Sequence, residues 1–92
     1  MARQTADIEE ACGVLKALGH PSRLQIVAGL MKNECNVAQI QQKLGLPQCT
    51  ISQHLRVLRE RGIIRSRREG TRRCYRVVDE RGRKILPVMM NE

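Results

Sequence analysis

Apolar residues in this chain recur first at helical spacing and then, past Gly62, in alternation. The clearest stretch is residues 36–62, where Val37, Ile40 and Leu44 at i, i+3 and i+7 predict a short amphipathic helix. Asn36 is placed to cap its first turn, with Gln39 completing a capping box. Gly45 supplies a left-handed terminator, and Pro47 suits the first position of the helix that follows. In that second helix Ile51, Leu55 and Leu58 point inward, and Cys49, Ser52, Gln53, Arg56 and Glu60 form the opposite face. Two helices joined by a tight glycine-containing turn, the second polar on its outer side, are the pattern of a helix-turn-helix. Such a helix can enter a major groove and present Gln, Ser and Arg to base edges.

The flanking segments follow the same rules. Residues 1–6 read as a loose polar end, and Asp7 with Glu10 resembles a capping box opening a helix over about 7–18. Its apolar members, Ile8, Ala11, Cys12, Val14, Leu15 and Leu18, cover more than one narrow stripe. One face should therefore meet the chain's own core and another a partner chain. A second helix begins at His20-Pro21-Ser22-Arg23, with Pro21 at its first position, and runs to about Lys32. Beyond Gly62, Ile63 and Ile64 start a strand, Glu69-Gly70-Thr71 turns, and residues 72–78 return as the second strand of a hairpin. Tyr75 and Val77 share one face of that strand; Arg72, Cys74 and Arg76 share the other. Asp79 is expected to cap a last helix within 79–92, which Pro87 should kink or interrupt.

Length and charge narrow the function. Ninety-two residues make one domain with a modest core, for which dimerisation is a natural way to add apolar contact. The formal charge is +8, and +7 of it falls between Arg61 and Lys84, just behind the second helix of the pair. A polyanionic partner is implied, a merely soluble basic surface being the plainer alternative. Tyr75 is the sole aromatic, which argues against stacking platforms for single strands and leaves double-stranded DNA. No apolar run approaches the ~20 residues of a membrane span, and there is no secretory h-region. Four cysteines without Cys-x-x-Cys spacing then read as reduced thiols of a cytoplasmic protein rather than a disulfide framework.

The predicted order, α-α-α-α-β-β-α, mainly helical with one β-hairpin, is that of a winged helix-turn-helix. With Leu15-Lys16-Ala17-Leu18-Gly19-His20-Pro21-Ser22-Arg23-Leu24-Gln25-Ile26-Val27, the chain resembles the ArsR/SmtB family of bacterial transcriptional repressors. Residues 44–55 are similar to that family's recognition helix, and Gly70 followed by Tyr75 and Val77 to its wing. The resemblance covers roughly residues 8–86. It implies a homodimer, joined through its first and last helices, that binds a pseudo-palindromic operator and leaves it when an effector binds or oxidises it. The departures concern the effector. Where metal-sensing members carry Cys-Val-Cys, this chain has Asn36-Val37-Ala38, with Cys35 just upstream. No His follows His54, so the second metal site of such members is absent. The usual Ser-Gln-Pro-Thr is Pro47-Gln48-Cys49-Thr50.

The expected DNA contacts are Gln48, Thr50, Ser52, Gln53, His54 and Arg56 on the second helix, with Arg67, Arg68, Arg72 and Arg73 around the hairpin turn meeting phosphates. An ordinary solvated face is the alternative. Cys12 reads as a buried small hydrophobe and Cys35 as an accessible turn residue. Cys49, at a helix N-terminus among cations, and Cys74, beside Arg73 and Arg76, are either reactive thiols or merely tolerated small residues. Thiolates converging across a dimer could hold arsenite or another soft metal or metalloid, and oxidants or reactive sulfur are the other thiol-directed signals. His20 and His54, far apart in sequence, pair with no Cys at ligand spacing. There is no nucleophile–base–orienter set, glycine-rich phosphate loop or paired buried carboxylate, so an enzyme is not expected. A constitutive or partner-regulated DNA-binding protein and a protein–protein module are the remaining alternatives.

Overall fold

The computed structural model describes residues 2–90, with side chains from residue 7 to residue 90. Five helices and one hairpin follow in the order α1 (Ala2–Leu18), α2 (Pro21–Lys32), α3 (Val37–Leu44), α4 (Gln48–Glu60), β1 (Ile64–Glu69), β2 (Arg72–Val77) and α5 (Glu80–Met89). Helix α2 is the hub, packed on α1, α3, α4 and β2. Its Ile26, Val27 and Leu30 are fully buried, and Ile40 of α3, Ile51, Leu55 and Leu58 of α4 and Leu86 of α5 complete the core around them. A Cβ at Gly29 would lie 2.8 Å from Ile40 Cδ1, so the bare glycine is what lets α3 lie this close to α2.

Antiparallel pairing sets Ile64 opposite Val77 and Ser66 opposite Tyr75, which turns Ile64, Tyr75 and Val77 toward the helices. The alternate face carries Arg65, Arg67, Glu69, Arg72, Cys74 and Arg76. Gly70 at φ 63° lets a two-residue loop reverse the chain with the twist the strands require.

Several expectations from the sequence are corrected. Helix α1 begins at Ala2, not Asp7, and the supposed loose end is helical from residue 2. Ala2, Arg3 and Gln4 are good helix formers, and no breaker separates them from Asp7. Residue 1 and residues 91–92 lie outside the described residues; the last helix covers Glu80–Met89, with Met90 as its cap. Cys12 is exposed rather than buried. Asn36 occupies the cap position of α3 without making a side-chain cap bond, and its Oδ1 is buried without a partner. Asn33 Oδ1 instead accepts from the Cys35 amide at 2.9 Å, so the side-chain bond belongs to the turn before the helix. Pro47 is the cap of α4, one position earlier than expected. Pro87 does not interrupt α5. It removes the bond that an N–H there would give Arg83 O, yet the helix runs on to Met89 and the Met90 amide still reaches Leu86 O at 2.8 Å. Asp79 caps α5 as expected, accepting from the Arg81 and Gly82 amides at 2.9 and 3.1 Å.

Candidate nucleic-acid interface

Helix α4 divides as its sequence pattern requires. Ile51, Leu55 and Leu58 are buried, whereas Gln48, Cys49, Ser52, Gln53, Arg56 and Glu60 are exposed. Gly45, at φ 66°, closes α3 through its amide to Gln41 O and Gln42 O, and this tight ending sets the direction in which α4 departs. Arg56 meets Glu60 one turn on at 2.9 Å. Both are well exposed, so the pair holds Arg56 only weakly and leaves it available to a phosphate.

Not every expected contact residue is equally presented. Thr50 is half-buried, and so is His54, whose ring lies 4.6 Å from that of His20. The two histidines, read from the sequence as unrelated, therefore meet where the start of α2 touches the middle of α4. His20 Nδ1 accepts from the Ser22 amide at 3.1 Å and so caps α2. Burial, then the neighbouring His20 and Arg23, holds His54 below the usual imidazole range, so this ring resists protonation. Hydrophobic spacing could not reveal this contact, because neither ring belongs to an apolar stripe.

On the hairpin, Arg68, Arg72 and Arg73 are exposed, with Arg73 Nη1 3.5 Å from Ser66 Oγ. Arg67 does not simply project outward. It is held between Glu69, 2.9 Å from Nε, and Glu34, 2.5 Å from Nη1.

The cysteines depart most from expectation. Instead of four reduced thiols, Cys35 and Cys74 form a disulfide with Cα atoms 4.2 Å apart, across 39 positions of sequence. The turn before α3 is thereby tied to β2, and two further contacts reinforce the junction: the Tyr75 amide donates to Glu34 O at 2.8 Å, and Glu34 pairs with Arg67. Cys74 is consequently buried although its strand face is otherwise polar. Sequence spacing carries no sign of a contact between a turn and a distant strand. Cys12 and Cys49 are free and exposed, on α1 and in the first turn of α4. Apart from the bonded pair, no two cysteines come together among the described residues.

A helix-turn-helix followed by an arginine-bearing hairpin on a helical body defines a winged helix-turn-helix protein. Residues 20–66 match the family described as bacterial regulatory protein, arsR family. A transcriptional regulator of Methanocaldococcus jannaschii is 40% identical over 82 residues, 88% of this chain and 92% of the relative. The biofilm growth-associated repressor of Xylella fastidiosa is 38% identical over 77 residues, 84% of this chain and 68% of that protein. The homodimeric winged helix-turn-helix DNA-binding domain of Mb0332 from Mycobacterium bovis superposes with a TM-score of 0.85 at 32% identity, covering 99% of this chain and 84% of that one. The chain belongs to the arsR family of DNA-binding transcriptional regulators, which act by binding DNA and not as enzymes.

Proposed function

We propose that the chain is a homodimeric repressor. Each protomer lays α4 in the major groove of one half of a pseudo-palindromic operator and sets its hairpin against the backbone. The observation that carries this is the division of α4, with three buried leucine and isoleucine side chains beneath an outer face of Gln48, Ser52, Gln53 and Arg56 open to a ligand. Thr50 and His54 lie at the edge of that face, and Arg68, Arg72 and Arg73 follow directly in the chain. Gln and Arg have the donor and acceptor geometry to read adenine and guanine, and the arginines supply sequence-independent affinity.

The dimer reading rests on an apolar surface at the α1–α5 end. Ile8, Leu15, Val88 and Met89 are 62%, 53%, 78% and 65% exposed. A groove of about 470 Å³ lined by Leu15, Leu18, Pro21, Leu24, Ile85 and Met89 continues this surface. A chain this small leaves such side chains to water only at a cost that pairing removes. The M. bovis domain, described as homodimeric, supports pairing of the chain with a second copy.

Release is assigned to a thiol-directed signal acting at Cys35 and Cys74. Their bond joins the turn before α3 to the hairpin, so its state governs how the wing is held relative to α4. Cys49, exposed where α4 begins, is a second thiol whose modification would place bulk at the DNA face.

The test is selection of duplexes from a random pool by the oxidised and by the reduced protein, followed by affinity measurement on the enriched site. A two-fold symmetric site bound by a dimer, with an affinity that changes on reduction, is the expected result. A symmetric site with unchanged affinity would instead establish a constitutive DNA-binding protein.

A further inference from the structure

Glu69, paired with Arg67 on one side, lies beside the Cys35–Cys74 sulfurs on the other. Its carboxylate and the sulfurs of Cys35 and Cys74 all lie within 4.8 Å of one another, where the turn before α3 meets the tip of the hairpin. Two sulfurs and a carboxylate so grouped are a donor set that a single cation could share once the sulfurs are free. We infer that, once the disulfide is reduced, Cys35, Cys74 and Glu69 form a binding site for a thiophilic divalent cation of the zinc, cobalt or cadmium type. This deepens the thiol-directed reading above by naming the ligand class of the reduced state.

The chemistry is consistent with that assignment. A dithiol reductant supplies two electrons and two protons, becomes a disulfide itself, and leaves two thiols. The cation then displaces both thiol protons into solvent as its two sulfur bonds form, and the carboxylate is the third ligand. Two thiolates and one carboxylate suit a borderline-soft cation in tetrahedral coordination, with the fourth position left to water. Sulfurs on one such cation are roughly 3.7 Å apart, given bonds of about 2.3 Å, so only a modest opening of the bonded pair is required. The ligand set with its cation carries one net negative charge, and Arg67 stands beside it. Arg67 Nε donates to Glu69 Oε1 at 2.9 Å, and Arg67 lies opposite Cys74 in the strand register.

Occupancy also changes the wing. A carboxylate committed to a cation is a poorer partner for Arg67, which then keeps only Glu34 of its two acids. Disulfide and metal exclude each other because they use the same sulfurs. The junction between the turn and the hairpin thus has two closed states, one covalent and one metal-bridged, with an open dithiol between them.

The test is titration of the reduced, metal-free full chain with cobalt(II) under anaerobic conditions, with Cys12→Ser and Cys49→Ser introduced to remove the other thiols. One cobalt per chain is expected, with thiolate-to-cobalt charge-transfer bands, the visible absorption of a tetrahedral centre and displacement by zinc. Glu69→Gln should weaken binding by about tenfold or more with the thiolate bands retained, and Cys35→Ser should abolish the two-thiolate spectrum. Absence of the bands in the reduced protein, or binding indifferent to both variants, would overturn the site. DNA affinity of the oxidised and the reduced metal-free protein is measured in parallel. If the two are equal while cobalt still binds as described, the regulatory reading fails and the metal site stands.

Discussion

His54 illustrates how one side chain couples α4 to the body. Its ring rests against His20, the residue that caps α2, and burial together with His20 and Arg23 keeps it neutral below the usual imidazole range. The unfolded chain takes up that proton near pH 6.5, whereas the folded chain resists it to lower pH. Between those two values the unfolded state binds more protons, so stability falls as the pH drops from about 6.5 toward the folded value. Above that window the contribution is fully present. Asp79 titrates lower still. Burial opposes ionisation of its carboxyl, but the Arg81 side chain, the Gly82 amide and the Arg81 charge outweigh it, so its contribution is lost only below about pH 4. Urea midpoints measured between pH 5 and 8 should therefore decline on the acid side, and His54→Gln should flatten that decline. An unchanged slope in the variant would contradict the assignment. Neither the ring contact nor the Cys35–Cys74 bond was legible in the sequence, because each joins residues that no local pattern relates.

At the scale of elements, much more was legible. The 3.6-residue recurrence of Ile51, Leu55 and Leu58 located α4 and its buried side, and the alternation through Tyr75 and Val77 located the returning strand. Periodicity records which side of an element meets the core, and it does so wherever burial is one-sided. Ends are decided more locally. Asp79 caps α5 through two amide bonds, but Asn36, though at the cap position of α3, makes none, and the one side-chain bond nearby lies in the turn, from the Cys35 amide to Asn33 Oδ1. The start of α1 depended on propensity alone, with no stop signal to read. Asp79→Ala should cost about 1 kcal/mol in denaturant-induced unfolding, and Asp79→Ser should recover much of it. A decrease of the same size in both variants would show that the carboxylate acts through Arg81, which it meets at 3.0 Å, and not as a cap.

At the scale of the molecule, the polar outer face of α4 and the arginines of the hairpin belong to one DNA-binding protein, and the apolar α1–α5 surface is the proposed seam between two copies. Leu15→Glu places a charge in that seam at an exposed position. It should leave the fold intact by circular dichroism but shift sedimentation toward the monomer and weaken binding to a symmetric site. A dimer unaffected by the change would move the interface elsewhere. The DNA contacts are tested most directly by binding isotherms on the selected site and on random duplex, across about 50 to about 200 mM salt. Gln53→Ala should lower the preference for the selected site by about 1–3 kcal/mol per half-site with little change in salt dependence. The Arg72→Ala/Arg73→Ala pair should weaken both duplexes alike and reduce the slope of log affinity against log salt by roughly 0.9 for each phosphate no longer neutralised. If the two variants behave identically, or if neither alters binding, α4 and the hairpin do not divide recognition and grip between them.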